Sequence, residues 1–323
     1  MSDEQPKAGV VGVGSMGQHH ARVYNELPSV ELAGVADADE DRAADVAAKY
    51  GTDVASQTTL LDRCDLVSVA VPTRYHYGVA TEAIDRGVNV LVEKPFVSDL
   101  ARGRELTQMA RDQGVALQVG HVERFNPAVR ALADIVPDLD VIAVDVQRLG
   151  PPVDRDSKDG VVLDLMIHDI DIVLSALGSQ VTNVSAMGAR DRDHVTAQLE
   201  LANGVVVDLT ASRVTQEKVR RLAITAEECR VNVDYESQSV QIHRHSVPEY
   251  YESGGDLRYR HESIIERPTI ENGEPLRAEL EAFVEAATTD SRPPVTGEDA
   301  LAALDVARRV EDHATGEPPT IEN

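Results

Sequence analysis

The rhythm of apolar and polar positions changes at about residue 120. Before it, short uninterrupted apolar runs alternate with longer amphipathic or alanine-rich segments. The runs are VVGV at 10–13, VELAGVA at 30–36, LVSVAV at 66–71, VNVLV at 88–92 and VALQV at 115–119. Runs of this kind read as strands buried on both faces, and the intervening helices make parallel βαβ units. Helices are predicted over 40–50 with Gly51 at the C-terminal cap, from His76 to Gly87, and from a Ser98 cap to Gln113 with Gly114 beyond it.

After Gly120 the pattern is different. HVERFNP places Pro127 as the first residue of a helix. A long strand is predicted over 141–149 and a loop over 150–160. A helix follows over 161–177, with Leu163, Met166, Ile167, Ile170, Val173, Leu174 and Leu177 on one apolar stripe. From 181 to 245 apolar and polar residues alternate, and Asn203-Gly204 marks a hairpin. This predicts an open antiparallel sheet with one covered face. The uncovered face suits subunit contacts, so a homo-oligomer, dimer or tetramer, is expected through that sheet. Residues 247–265, polar and rich in Tyr, Arg and His, read as an excursion or an edge. Two helices close the chain, at 275–287 and 298–314, the second capped by Thr296. The string PTIEN at 268–272 and again at 319–323 is too short to mark a repeat architecture.

Chemistry enters at the first βα turn. Gly12, Gly14 and Gly17 stand in G-x-G-x-x-G spacing after a strand and before a helix, with Ser15 and Met16 in the turn. In that context the glycines allow a tight turn, close approach of a pyrophosphate and close helix–strand packing. The helix start offers free N–H groups to the phosphates. Asp37 ends the second strand, where a carboxylate bonds ribose hydroxyls. Asp39 and Asp41 would repel a 2′-phosphate, which favours NAD over NADP; Arg42 is the one nearby cation that argues the other way. The chain is therefore expected to be α/β: an N-terminal Rossmann dinucleotide-binding domain over 1–120, and a C-terminal α/β domain over 121–323 with an open, mainly antiparallel sheet. The last helices are free to pack back on the first domain.

Ligands of such sheets lie outside the carboxyl ends of the strands. The residues there are Asp37, Pro72-Thr73, Glu93-Lys94-Pro95 and Gly120-His121, with His76 opening a helix nearby. His76 and His121 fit either a cleft or a satisfied core position. A lysine at a buried strand end has its charge disfavoured, so Lys94 could hold or deprotonate a hydroxyl; an ion pair with Glu93 is the plainer reading. In the 161–177 helix, Asp164, His168 and Asp171 form a polar stripe. An Asp one turn before a His can fix its tautomer and raise its basicity, as a general base requires; a solvated helix face is the alternative. No His or Cys with ligand spacing accompanies them, so no metal is expected.

Bulk properties narrow the classes. Net charge is −25, which opposes general nucleic-acid binding. The acid is spread along the chain, and only five lysines occur, as in proteins of a salt-rich cytoplasm, where screening at molar salt relieves self-repulsion. Cys64 and Cys229 make no CxxC pair. MSDEQPK lacks the apolar core of a signal peptide, and no apolar run approaches a membrane span. A soluble cytoplasmic protein is expected.

Together, GVGSMGQHHA, AVPTRYH, EKP at 93–95 and the D-x-x-x-H of Asp164 and His168 resemble the Gfo/Idh/MocA family of sugar and cyclitol oxidoreductases, over nearly the whole chain. The resemblance implies a tightly bound NAD or NADP, Lys94 touching nicotinamide ribose and substrate, and Asp164 with His168 as a proton relay. It also implies a cofactor site drawn from Gly12, Gly14, Ser15, Met16, Gly17, Asp37, Pro72, Thr73, His76, Glu93 and Lys94. Within the family, GHVERFNPAV, VVLDLMIHDID and TQEKVRRLAIT look most like the UDP-N-acetylglucosamine 3-dehydrogenase branch. A nucleotide sugar would need cations for its diphosphate; Arg124, Lys218, Arg220 and Arg221 are candidates, with His121 and Asn126 beside the substrate. A free sugar or cyclitol substrate, or a non-catalytic NAD-binding sensor or scaffold, are the other readings. The glycine-rich run that many members carry before the Asp of D-x-x-x-H is reduced to Gly160.

Overall fold

A computed structural model describes residues 5–152, 160–245, 249–253, 256–260 and 262–315. Most of the loop expected at 150–160, part of 247–265, the extreme N-terminus and the second PTIEN string lie outside the described residues. Two compact units divide the chain: Met1–Phe125 with Glu274–Asp305, and Asn126–Gly273 with Val306–Asn323. The first boundary falls five residues beyond the expected 120, because the turn after the last parallel strand packs with the first unit's returning helix.

The first unit alternates strand and helix: β1 Lys7–Val11, α1 Gly17–Glu26, β2 Glu31–Ala36, α2 Glu40–Tyr50, a short α3 Gln57–Leu61, β3 Leu66–Val69, α4 His76–Asp85, β4 Asn89–Glu93, α5 Leu100–Gln113 and β5 Leu117–Gly120. The strands form one parallel sheet in the order β2-β1-β3-β4-β5. The order reverses between β1 and β3, the place where such sheets bind ligands. All four residues of β3 and of β5 are buried, as uninterrupted apolar runs require. Gly51 and Gly114 end α2 and α5 in the left-handed region, as expected. The cap of α5 is Asp99 rather than Ser98: its carboxylate accepts from Ala101 N at 2.7 Å, and an anion there also meets the positive end of the helix. The short helix α3 has too few residues to show a period in sequence.

The second unit holds α6 Pro127–Ile135, β6 Val141–Leu149, a π turn over Val162–Met166 that leads into α7 Ile167–Leu177, and then β7 Val181–Ala189, β8 His194–Leu201, β9 Val206–Ser212, β10 Val219–Ala226, β11 Arg230–Asp234 and β12 Ser239–His245. A separate hairpin follows, β13 Glu249–Ser253 with β14 Asp256–Arg260, and β15 Ser263–Glu266 returns to the sheet edge beside β12. The sheet has eight strands in the order β15-β12-β11-β10-β6-β9-β8-β7. It is antiparallel except where β6 lies parallel to β9. Val195, Ala197, Leu199 and Leu201 of β8 are buried, and the residues alternating with them are exposed, which confirms one covered face. Gly204, at φ +85°, makes the β8–β9 hairpin.

Helix α8, Pro275–Thr289, returns to the first unit, where Leu276, Leu280 and Phe283 join Ala8, Val10 and Tyr24 in one core. Helix α9, Gly297–Thr315, begins with the expected cap: Asp299 N donates to Thr296 Oγ1 and Thr296 N donates to Asp299 Oδ2. Both cysteines are free and buried; burial pushes the Cys64 thiol up to about 12. Among the described residues no helix is long and apolar enough to cross a membrane.

Candidate active site

In the first unit the glycine turn has the shape a dinucleotide needs. Gly12 sits at φ +88°, and a Cβ there would lie 2.7 Å from the Ala70 carbonyl carbon. A Cβ on Gly17 would lie 1.7 Å from the Gly12 oxygen, so helix and turn close only on glycine. Gly14 opens onto a cavity of about 530 Å³ that also involves Ser15, Gln18 and Arg42. Asp37 Oδ2 accepts from Val13 N at 2.7 Å, and Oδ1 accepts from Asp39 N at 2.9 Å. The carboxylate is thereby fixed beside the turn. Arg42 donates to Asp39 at 2.9 Å and stands 3.5 Å from Asp37, so both acids hold this cation. This cradle of bare backbone, open helix start and aimed carboxylate fits a bound dinucleotide.

The neighbouring strand ends are less exposed than expected. Pro72 is exposed and Thr73 half-buried, but His76 is only 1% exposed, with Nε2 2.7 Å from Val71 O and Nδ1 3.0 Å from Pro95 O and 3.2 Å from Phe96 O. Burial pushes its pKa below the ordinary value, although the three carbonyls and Glu93 pull it back. His76 therefore ties the segment after β3 to the turn after β4. Glu93 is also buried. Its Oε1 meets His20 Nε2 at 2.9 Å and its Oε2 accepts Lys94 N–H at 3.1 Å. Burial works against its charge, but the His20 hydrogen bond, the His20 and Lys94 charges and the Lys94 amide together hold the carboxyl below its ordinary value. Lys94 itself is half-buried and opens a cis Lys94–Pro95 turn. His121 is buried, and Arg124 is half-buried in a 3-10 turn.

In the second unit Asp164 and His168 differ from a regular helical pair. Asp164 lies in the π turn, whose wider winding breaks the 100° step assumed for the stripe. Asp164 Oδ2 accepts from Arg213 Nη2 at 3.1 Å; both are partly buried. His168 is half-buried in the first turn of α7. Asp171 is 1% exposed, so the stripe is no solvated face. Asn126 caps α6 by accepting from Ala128 N, and its amide donates to Tyr235 O. Lys218 pairs with Glu236 at 2.5 Å, Arg220 donates to Leu149 O and Val219 O, and Arg221 pairs with Asp234.

Four residues escaped sequence reasoning: His20, Arg213, and Arg148 with its partner Asp169. His20 was detectable as a polar residue one turn before Tyr24 and beside Ala21 on the buried face of α1. Arg148 was detectable as a charge in the inward series Val144, Val146, Arg148.

Residues 7–121 match the oxidoreductase family with the NAD-binding Rossmann fold, and residues 143–232 match the GFO/IDH/MocA C-terminal domain. A UDP-N-acetylglucosamine 3-dehydrogenase of Acidithiobacillus ferrooxidans is 33% identical over 288 residues, which span 87% of this chain and 88% of the relative. The chain belongs to the GFO/IDH/MocA oxidoreductase family. A solved structure of that Acidithiobacillus enzyme covers 97% of this chain and 99% of its own, with a TM-score of 0.87 at 31% identity. A Bacillus subtilis scyllo-inositol 2-dehydrogenase (NAD(+)) is 28% identical over 66% of this chain and 69% of its own length. The protein is thus an NAD-dependent oxidoreductase related to sugar and cyclitol dehydrogenases.

Proposed function

We propose that the protein oxidises a ring hydroxyl of a nucleotide sugar to a ketone, with UDP-N-acetylglucosamine, at carbon 3, as substrate. The observation that carries this reading is the likeness to the Acidithiobacillus 3-dehydrogenase along almost all of both chains. Bound NAD would supply the hydride acceptor for the carbinol carbon. Lys94 donates an N–H to the substrate oxygen and stabilises its developing negative charge. His168 takes the hydroxyl proton, and Asp164, itself steadied by Arg213, orients the imidazole. Gly12, Gly14, Ser15, Met16 and Gly17 seat the pyrophosphate, Asp37 takes the ribose, and Pro72, Thr73, His76 and Glu93 shape the nicotinamide end. Arg124 is assigned to the substrate diphosphate, with His121 and Asn126 nearby in sequence.

One observation favours a second reading. Lys218 is paired with Glu236, and Arg220 is spent on two carbonyls. A free sugar or cyclitol needs no diphosphate cations, and the inositol relative fits it. The two are separated by NADH formation with UDP-N-acetylglucosamine, UDP-glucose, glucose and myo-inositol. Turnover with UDP-sugars alone supports the first; turnover with myo-inositol or glucose alone refutes it. Binding of NADH without reduction of NAD by any sugar tested would leave a sensor. The exposed face of the eight-stranded sheet suits assembly of a dimer or tetramer, which light scattering on the purified protein tests.

A further inference from the structure

We propose that His20 and Glu93 are positioning residues for Lys94, at the working end of a buried hydrogen-bonded chain that terminates on the Lys94 main-chain N–H. The inference rests on the role given to Lys94 above. The Tyr24 hydroxyl lies 2.8 Å from Ser68 Oγ, Ser68 Oγ lies 3.0 Å from His20 Nδ1, His20 Nε2 lies 2.9 Å from Glu93 Oε1, and Lys94 N donates to Glu93 Oε2 at 3.1 Å. Tyr24, Ser68 and His20 are 0% exposed and Glu93 6%, so water does not compete for these bonds.

The carboxylate end of the chain has a fixed direction. An ionised carboxylate only accepts, so His20 donates from Nε2. Behind that bond, Nδ1 meets the Ser68 hydroxyl and the Ser68 hydroxyl meets that of Tyr24. Both hydroxyls and both ring nitrogens are engaged within the chain. The carboxylate packs closely against the end of β5: a Cβ on residue 120 would come within 3.1 Å of it, and glycine stands there. From the other side His76 faces the carbonyls of Pro95 and Phe96. The main chain on both sides of the Lys94 side chain is therefore held by buried imidazoles. Neither ring has a nitrogen left for a ligand, which makes them supports of the turn rather than parts that touch substrate. A misplacement of about 1 Å in a reacting group can cost roughly 100-fold in rate, so such support has catalytic value.

The test exploits the two ends of the imidazole. His20→Gln puts an amide N–H near Nε2 and keeps the donor to Glu93. His20→Asn puts it near Nδ1 and leaves Glu93 without one. Using whichever sugar the panel reveals, kcat should fall roughly 10–100-fold in His20→Asn and in Glu93→Gln, yet stay within about threefold in His20→Gln. KM and the Kd for NADH should change by less than about threefold in both His20 variants, because His20 lies outside the residues proposed to seat the cofactor. In the protein without substrate, hydrogen exchange of the Lys94 amide should quicken in His20→Asn and Glu93→Gln and not in His20→Gln. Equal losses in the Gln and Asn variants, which a packing role alone would give, overturn the proposal. So does wild-type kcat in His20→Asn. If the His20 variants do not fold, the isosteric Glu93→Gln decides: unchanged kcat and unchanged exchange refute it. Lys94→Ala separates the two levels of argument. Retained turnover there removes the underlying reading, whereas an inactive Lys94→Ala beside a fully active Glu93→Gln removes the inference alone.

Discussion

The guanidinium of Arg148 holds the carboxylate of Asp169 through two hydrogen bonds of 2.8 Å, with both side chains under 5% exposed. Asp169 follows His168 in the first turn of α7, and the Tyr235 ring lies 5.6 Å from the guanidinium. The pair thus fixes the start of the helix that presents the proposed base. Removing one partner strands a buried charge, which costs about 3–5 kcal/mol. Arg148→Met should therefore lower unfolding free energy by that order in urea titrations. Arg148→Lys should recover only part of it, because an ammonium cannot reproduce the two-pronged contact.

Cofactor choice rests on Arg42. In the wild type Asp39 and Asp37 hold this cation beside the glycine turn, and two carboxylates there would repel a 2′-phosphate. The protein should bind NAD more tightly than NADP. Asp39→Ala releases Arg42 from its 2.9 Å partner and removes one repelling charge. The ratio of Kd values for NADP and NAD, measured by calorimetry, should then fall by about tenfold, the effect of roughly one charge-assisted hydrogen bond.

The pH response of stability should carry the mark of His76. Burial favours its neutral ring in the folded chain, and its folded pKa lies below the ordinary value of about 6.5. The unfolded chain therefore binds more protons just below pH 6.5, so this residue's contribution is fully present above that pH and is lost as pH falls toward the folded pKa. The slope is at most about 1.4 kcal/mol per pH unit. Denaturation between about pH 7 and about pH 5.5 should show a steeper loss in the wild type than in His76→Asn.

Much of this was legible in sequence because the signals were local and strong. Uninterrupted apolar runs gave the five parallel strands, and α2 matches its expected bounds of 40–50. The glycine spacing and the place of Asp37 pointed to a turn that closes only on glycine, with the carboxylate fixed beside it. Long-range pairings were not legible. His20 with Glu93 and Arg148 with Asp169 join residues 73 and 21 positions apart, and no periodicity reports such a match. The π turn was hidden for another reason: it inserts one residue's worth of winding without changing composition, so a regular helical wheel over 161–177 misplaced Asp164 relative to His168. His76 fitted either a cleft or a core position, and only the fold shows its ring closing on carbonyls of the same unit.

Salt should stabilise the protein. With a net charge of −25, self-repulsion opposes the compact state in dilute buffer, and at about 1 M salt the Debye length shrinks to about 3 Å. The melting temperature should rise between dilute buffer and molar KCl. A temperature unchanged across that range would show that the acidic surface carries no such cost.

The central claim is that His168 and Lys94 carry the proton and oxyanion work of a sugar oxidation. Steady-state NADH formation from UDP-N-acetylglucosamine by His168→Ala, with the Kd for NAD measured on the same preparation, tests it most directly. The account predicts a loss in kcat of about 10²–10⁴-fold with cofactor affinity unchanged. Wild-type turnover in that variant would contradict it.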